Sequence, residues 1–265
     1  MTVYTVALPK GGTTKTTTAA EVVAELARRG RRVLAVDVDR QGNLTSRMGV
    51  GADSEVAAVA ADVLVGEASA VDAAIEAPSV PGAWVLVGTH HLASLDQRPE
   101  VITALRDHLP EPEVSRQWDD VVIDTPPALG LVTLAALAAA DVVIAAVACE
   151  TEAVQAVGEI VHLIRTRVAP RLRPGQQLHW IVPTRFDGRR RLDNEVVDTL
   201  QENFPGRVTK PIREAVAARD AFTAGMPVTV YDPRSGIADD YREAIATIME
   251  TTDQTGRTEE TKETE

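Results

Sequence analysis

Eight residues near the N-terminus, KGGTTKTT at 10–17, constrain this chain more than any other stretch. They follow an apolar run at 2–8 with the character of a buried strand. They precede residues 16–29, where Ala19, Val22, Val23 and Leu26 recur at helical spacing. Gly30 ends that helix, since glycine takes the left-handed conformation at no side-chain cost. A second strand follows at 32–37. Strand, glycine turn, helix and strand form the unit that builds a parallel sheet by right-handed crossover. In that setting the turn reads as a phosphate loop. Gly11 and Gly12 let the backbone approach a polyphosphate with its N–H groups pointing inward. The following helix N-terminus adds a partial positive charge. Lys15 is placed to reach β- and γ-phosphates, the Thr16 hydroxyl to bind Mg²⁺, and Thr13, Thr14 and Thr17 to complete the cradle. The loop departs from the general rule G-x-x-x-x-G-K-[ST]. Pro9 and Thr14 stand at the glycine positions, and an extra lysine, Lys10, opens the loop.

The alternation continues along the chain. Helical spacing recurs near 56–64, 68–76, 99–109, 131–139, 151–168, 190–203, 213–224 and 237–250. Strands are expected at 84–87, within 118–127, at 141–147 and 178–184, with a short one near 207–210 and extended chain at 227–231. Apolar residues make up 45% of the chain but aromatics only 3%, so the core must be built from Ala, Val, Leu and Ile. That composition suits helices packed on a buried parallel sheet. The expected fold is α/β: a doubly wound, mostly parallel sheet with helices on both faces, of the P-loop NTPase kind. No linker divides residues 1–250, which read as one domain. Residues 251–265 hold no apolar side chain and are expected to form a disordered acidic tail. No apolar run is long enough to span a membrane, since Asp141 breaks the longest, and nothing resembles a signal peptide. With a single cysteine, Cys149, a reducing cytoplasm is the simplest setting.

Three carboxylates complete the candidate site. Asp37 and Asp39 close the second strand in DVDRQGN, and Asp124 closes VVID at 121–124. Ligands of parallel sheets gather outside the carboxyl ends of the strands. Mg²⁺ prefers oxygen ligands and keeps several waters, so Asp124 suits a water-mediated role, and Asp37 suits holding Thr16 or a metal-bound water. Asp39, further out, is placed to orient an attacking water. Phosphoryl transfer needs chiefly such positioning and charge neutralisation.

These residues have a family resemblance. KGGTTKTTTAAEVVAELARRGRRVLAVDVDRQGNLT, VVIDTPPALGLVTLAALAAADVVIAAV and TKPIREAVAARDAFTAGMPVTVYDPRSGIADDY together resemble the ParA family of deviant Walker-A partition ATPases. The matches run from Val3 to about Met249. The resemblance implies ATP and Mg²⁺ as cofactors and a homodimer formed on ATP. Lys10 would reach the partner's nucleotide, Lys15 and Thr16 would bind phosphate and magnesium, Asp39 would act in water activation, and Pro211 would lie near the adenine. It further implies binding to non-specific duplex DNA, stimulation by a ParB-like centromere-binding partner, segregation of a plasmid or chromosome, and nucleoid association in the ATP-bound state. The short form, without an N-terminal helix-turn-helix, is expected.

The net charge of −12 gives no global attraction for nucleic acid, so DNA must meet a local patch. Arginines cluster at 165–173, at 185–191 and, with Lys210, at 207–219; the resemblance favours Arg189, Arg190, Arg191, Arg213 and Arg219. A MinD-like or other protein-positioning or regulatory ATPase is the alternative, although the acidic tail lacks the basic amphipathic helix of a membrane anchor. An iron–sulfur reductase would need more than one cysteine. Cys149, His90 and His91 read as core and loop residues, and Trp84, Trp118 and Trp180 as packing anchors.

Overall fold

The structure is a computed structural model that describes residues 1–262 except Thr13 and Ala52, with backbone alone beyond Thr251. Seven strands occur: β1 (Thr2–Val6), β2 (Val33–Asp37), β3 (Ile75–Glu76), β4 (Ala83–Leu86), β5 (Asp120–Asp124), β6 (Val142–Ala148) and β7 (Trp180–Thr184). They form one sheet in the order β3-β4-β2-β5-β1-β6-β7. All neighbours are parallel except β3, which pairs antiparallel with β4 at the edge. Twelve α-helices accompany the strands among the described residues, the last four following β7. They are α1 (Lys15–Arg28), α2 (Asn43–Arg47), α3 (Ala60–Leu64), α4 (Ala70–Ala73), α5 (Val101–His108), α6 (Pro112–Gln117), α7 (Leu131–Ala139), α8 (Ala153–Leu163), α9 (Arg191–Asn203), α10 (Ala217–Thr223), α11 (Val228–Tyr231) and α12 (Gly236–Lys262).

Alternate strand residues feed opposite layers, as a period of two requires. Tyr4, Val33, Ala35, Val122 and Ile144 pack with α1 and α12. Val3, Leu34, Val36, Val121 and Ile123 pack with α5 and α7 on the other face. A third cluster joins Val143, Ala145 and Val147 to α8 and α9. Helix α1 lies between the sheet and α11–α12, which is why ten of its fourteen residues are buried, Lys15 and Glu21 included. Trp118 is fully buried and meets Trp84 edge-to-face at 6.4 Å. The doubly wound α/β expectation holds.

Topology fixes the site. The chain leaves β1 for β2 on one side and later returns to β6 and β7 on the other, so the carboxyl end of β1 is a switch point. In β2 and β5 the register sets Asp37 beside Asp124 at that same edge.

Several local expectations change. Residues 227–231 are not extended, because Pro227 leads into α11, whose first N–H groups are taken by a distant carboxylate. Glu21 of α1 accepts from Val228 N at 2.5 Å and from Thr229 N at 3.0 Å. Near 207–210 only an isolated bridge, Ile181 to Val208, replaces the expected strand. His90 and His91, read as loop residues, open a 3₁₀ segment, His90–Gln97. Residues 75–76 leave the helical stretch to make the edge strand β3. Helix α12 continues to Lys262, while side chains from 252 onward and residues 263–265 lie outside the described residues, and with them most of the expected tail.

Candidate nucleotide site

Between β1 and α1 the loop turns sharply. Gly12 takes φ +73° and Thr14 takes φ 69°, a left-handed conformation that costs a side-chain-bearing residue. The Thr14 hydroxyl is held at 2.6 Å from that of Thr184, at the end of β7, which secures a conformation glycine would adopt unaided. Among the described residues no side chain caps the N-terminus of α1, and no acidic residue occupies its first turn. Its first N–H groups therefore face the loop, the arrangement that binds phosphate.

This loop lines a cavity of about 700 Å³. Gly11, Gly12, Thr14, Lys15, Thr16 and Thr17 form one wall, with Asp39 and Pro127 near them; Arg47, Ala215, Ala218 and Phe222 form another. Thr13, expected in the cradle, lies outside the described residues. Lys15 is buried and donates from Nζ to the Lys10 carbonyl at 2.9 Å. Burial lowers its pKa, while Asp124 and Asp39 oppose that shift.

Asp124 is fully buried, and neither of its carboxylate oxygens has a hydrogen-bond partner of ordinary geometry. Burial drives its pKa well above the usual carboxylate value and the neighbouring Asp37 raises it further; Thr16 and Lys15 pull the other way. Two orphaned carboxylate oxygens near a threonine hydroxyl are the hard oxygen donors that Mg²⁺ selects, so the residues present fit that ion.

Asp37, expected at Thr16 or a metal-bound water, is engaged within the chain. Its oxygens are spent on the turn after β2: Oδ2 accepts from Thr45 N and Thr45 Oγ1, both at 2.8 Å, and Oδ1 from Asp39 N at 3.1 Å. Gly88 seals the arrangement. Its N–H donates to Thr45 Oγ1 at 2.9 Å, and a Cβ on it would come within 2.6 Å of the Asp37 carboxyl carbon. Asp37 thus buttresses the loop that carries Asp39; like Asp124 it lies buried behind the residues that line the cavity. Asp39 does line it, with Oδ1 accepting from Gln41 N at 3.1 Å.

Lys10 is not part of this wall. Its Nζ donates to Glu150 Oε2 at 2.7 Å and to Glu152 Oε2 at 3.1 Å, both just after β6, and these bonds raise its pKa. Pro211 also lies elsewhere, lining a smaller cavity of about 500 Å³ with Phe186, Arg189 and Lys210. Its neighbour Ile212 donates to the Pro183 carbonyl at 2.8 Å and is buried, and successive residues of extended chain face opposite ways. Ala215, Ala218 and Phe222, a few residues further along the chain, give the phosphate-loop cavity its apolar lining.

Four of the five arginines expected at DNA are ion-paired within the chain. Arg189 binds Asp187 at 2.8 Å, Arg190 binds Glu214 at 3.2 Å, Arg191 binds Glu195 at 2.6 Å, and Arg213 binds Asp240 at 2.6 Å. Arg219 has no ion pair among the described residues and lines the nucleotide cavity. Cys149 is buried, which pushes its thiol up to about 12, so it is no nucleophile.

A lysine-bearing loop at the switch point of a parallel sheet, opening onto an uncapped helix, defines a P-loop nucleotide-binding protein. Comparison with known proteins narrows the class. Residues 1–174 match the family model described as an AAA domain. The sporulation initiation inhibitor protein Soj of Bacillus subtilis (strain 168) is 34% identical over 235 residues, covering 88% of this chain and 92% of Soj. The chromosome partitioning protein ParA of Caulobacter vibrioides is 33% identical over 235 residues, covering 87% of each. Among solved structures, the cobyrinic acid a,c-diamide synthase of Mycobacterium smegmatis with bound ADP and magnesium superposes with a TM-score of 0.78 at 30% identity, over 94% of both chains. The chain belongs to the ParA family of partition ATPases.

Proposed function

We propose that this chain hydrolyses Mg·ATP, dimerises around two bound ATP molecules, and in that state binds duplex DNA without sequence preference. A ParB-like partner then stimulates hydrolysis, and the cycle segregates a plasmid or chromosome. The protein works in the cytoplasm, on the nucleoid when ATP-bound. The observation that carries the ATPase reading is the buried Asp124 carboxylate, without a hydrogen bond of ordinary geometry and with Thr16 of the phosphate loop beside it. A group so placed costs stability in the absence of ligand, and a cation is what relieves that cost. Mg²⁺ held by Thr16 and Asp124 would neutralise charge on the β- and γ-phosphates. Lys15 and the loop N–H groups hold those phosphates, and Asp39, exposed to the cavity, orients the attacking water.

The hydrolytic role is tested at Asp39. Asp39→Ala is expected to bind ATP nearly as tightly as wild type and to release phosphate about a hundredfold more slowly, persisting as an ATP-bound dimer. Phosphate release at the wild-type rate would remove Asp39 from the reaction.

The ion pairs of Arg189, Arg190, Arg191 and Arg213 favour keeping a second reading, a protein-positioning or regulatory ATPase that does not act on DNA. Phosphate contacts would have to compete with those carboxylates. No helix among the described residues is long and apolar enough to cross a membrane.

A further inference from the structure

Four arginines line the nucleotide cavity, and Arg47 is the buried one, 5% exposed. It ends α2, four residues after Asn43, so both face the cavity from one side of a short helix. Its Nη2 donates to Thr17 Oγ1 at 3.0 Å, and its Nη1 reaches the Met226 carbonyl at 3.4 Å. The guanidinium carbon stands 4.9 Å from the centre of the Phe222 ring. Its Nε is buried with no partner. No carboxylate pairs with it among the described residues. Glu21, the acidic group that acts most strongly on it, is already committed to Val228 N, Thr229 N and the Thr229 hydroxyl. A buried guanidinium with an unmet donor and no counter-ion, set in a cavity wall, is built for an anionic acceptor.

Position along the cavity says which one. Lys15 and Thr16, with Asp124 buried behind them, mark the end that takes the terminal phosphates and the cation. Thr17, which Arg47 holds, is one residue further into α1, and Arg47 stands against Phe222, which with Ala218 gives the cavity an apolar wall suited to a base. We propose that Arg47 is a nucleotide-binding residue, its Nε–H donating to the phosphate oxygen nearest the nucleoside, at the junction between the phosphate loop and the apolar wall. This rests on the nucleotide reading of the cavity. ATP and ADP share that phosphate, so Arg47 strengthens both equally and contributes nothing to telling them apart.

Isothermal titration of Mg·ATP and Mg·ADP against wild type and Arg47→Met tests this, since methionine keeps an apolar stem against Phe222. Both nucleotides should bind at least about tenfold more weakly, with their affinity ratio unchanged within about twofold, as expected for a lost charge-assisted hydrogen bond. Unchanged affinity for both, or a loss confined to ATP, overturns the proposal. Because Arg47 also ties Thr17 to Met226, a second measurement uses the intact protein. The ¹⁵Nε–H signal of Arg47, identified by its absence from Arg47→Lys, should shift on saturation with Mg·ADP; a signal that stays in place contradicts the contact. Wild-type protein that binds neither nucleotide removes the nucleotide reading together with this one. Wild-type binding with an indifferent Arg47 removes only this one.

Discussion

Asp124→Asn is expected to give a more stable protein in the absence of nucleotide and a nearly inactive one in its presence. The carboxylate is fully buried and makes no hydrogen bond of ordinary geometry, so removing its charge relieves a desolvation cost larger than the opposing pull of Thr16 and Lys15. A gain of about 1–2 kcal/mol, a few degrees in Tm, is the expected size. The pH dependence carries the same signature. A carboxylate whose folded pKa lies above its ordinary value stabilises fully below that ordinary value, and this contribution is lost as pH rises through the folded one. Asp37, raised from 3.8 to about 6, and Asp124, raised further, both act in this direction. Ligand-free wild type should therefore lose stability as pH climbs from about 4 through 6 and beyond. Asp124→Asn should show a flatter curve, and Mg²⁺ with nucleotide should restore stability only to wild type. Hydrolysis by the variant should fall about 10–100-fold, the usual cost of losing a group that orients a metal's ligands. Thermal unfolding across pH, with and without Mg·ATP, checks all three; a variant less stable than wild type at neutral pH would mean that Asp124 is better satisfied than its surroundings indicate. Asp37→Asn supplies the contrast, since it disturbs the bonds to Thr45 and Asp39 and should destabilise.

Lys10→Ala should separate binding from turnover. Lys10 does not line the cavity of its own chain and instead rests on Glu150 and Glu152. Its loss should leave monomer affinity for ATP within about twofold, because the groups that face the ligand are intact. Hydrolysis should fall about a hundredfold or more, and the ATP-dependent dimer should no longer accumulate, if Lys10 supplies charge stabilisation to a partner's phosphates. The two glutamates hold Lys10 through half-exposed ion pairs, which are weak enough to exchange for a phosphate. Light scattering with ATP, beside a phosphate-release assay, reads both effects; full dimerisation and normal turnover would rule out a role in trans.

What the sequence made legible was local. The strand–loop–helix–strand unit emerged within a residue or two at each boundary because period, glycine and charge agree over 37 consecutive positions. Asp39 and Asp124 followed from their places at strand ends. The rest is fixed by contacts between distant segments. Helix α11 exists because Glu21, 207 residues before Val228, caps it, and no local pattern announces that. Asp37 looked like Asp124 in sequence; Thr45 and the Asp39 N–H make it different by occupying its oxygens. Arg47 sits on a five-residue helix too short to show a period, and the Phe222 that faces it comes from the far end of the chain. Pro211 matched a family segment, yet the bond from Ile212 to Pro183 sends it into the neighbouring cavity. The arginine clusters were visible, but their acidic partners, such as Asp240 for Arg213, became so only on folding.

The most direct test of the partition reading is binding to a non-specific DNA duplex, measured by fluorescence anisotropy with Mg·ATP, with Mg·ADP and without nucleotide, over a salt series. The account predicts binding with ATP alone, weakening steeply as salt rises because arginine–phosphate contacts release counterions. Absence of binding in every nucleotide state, or equal binding in all three, would contradict it.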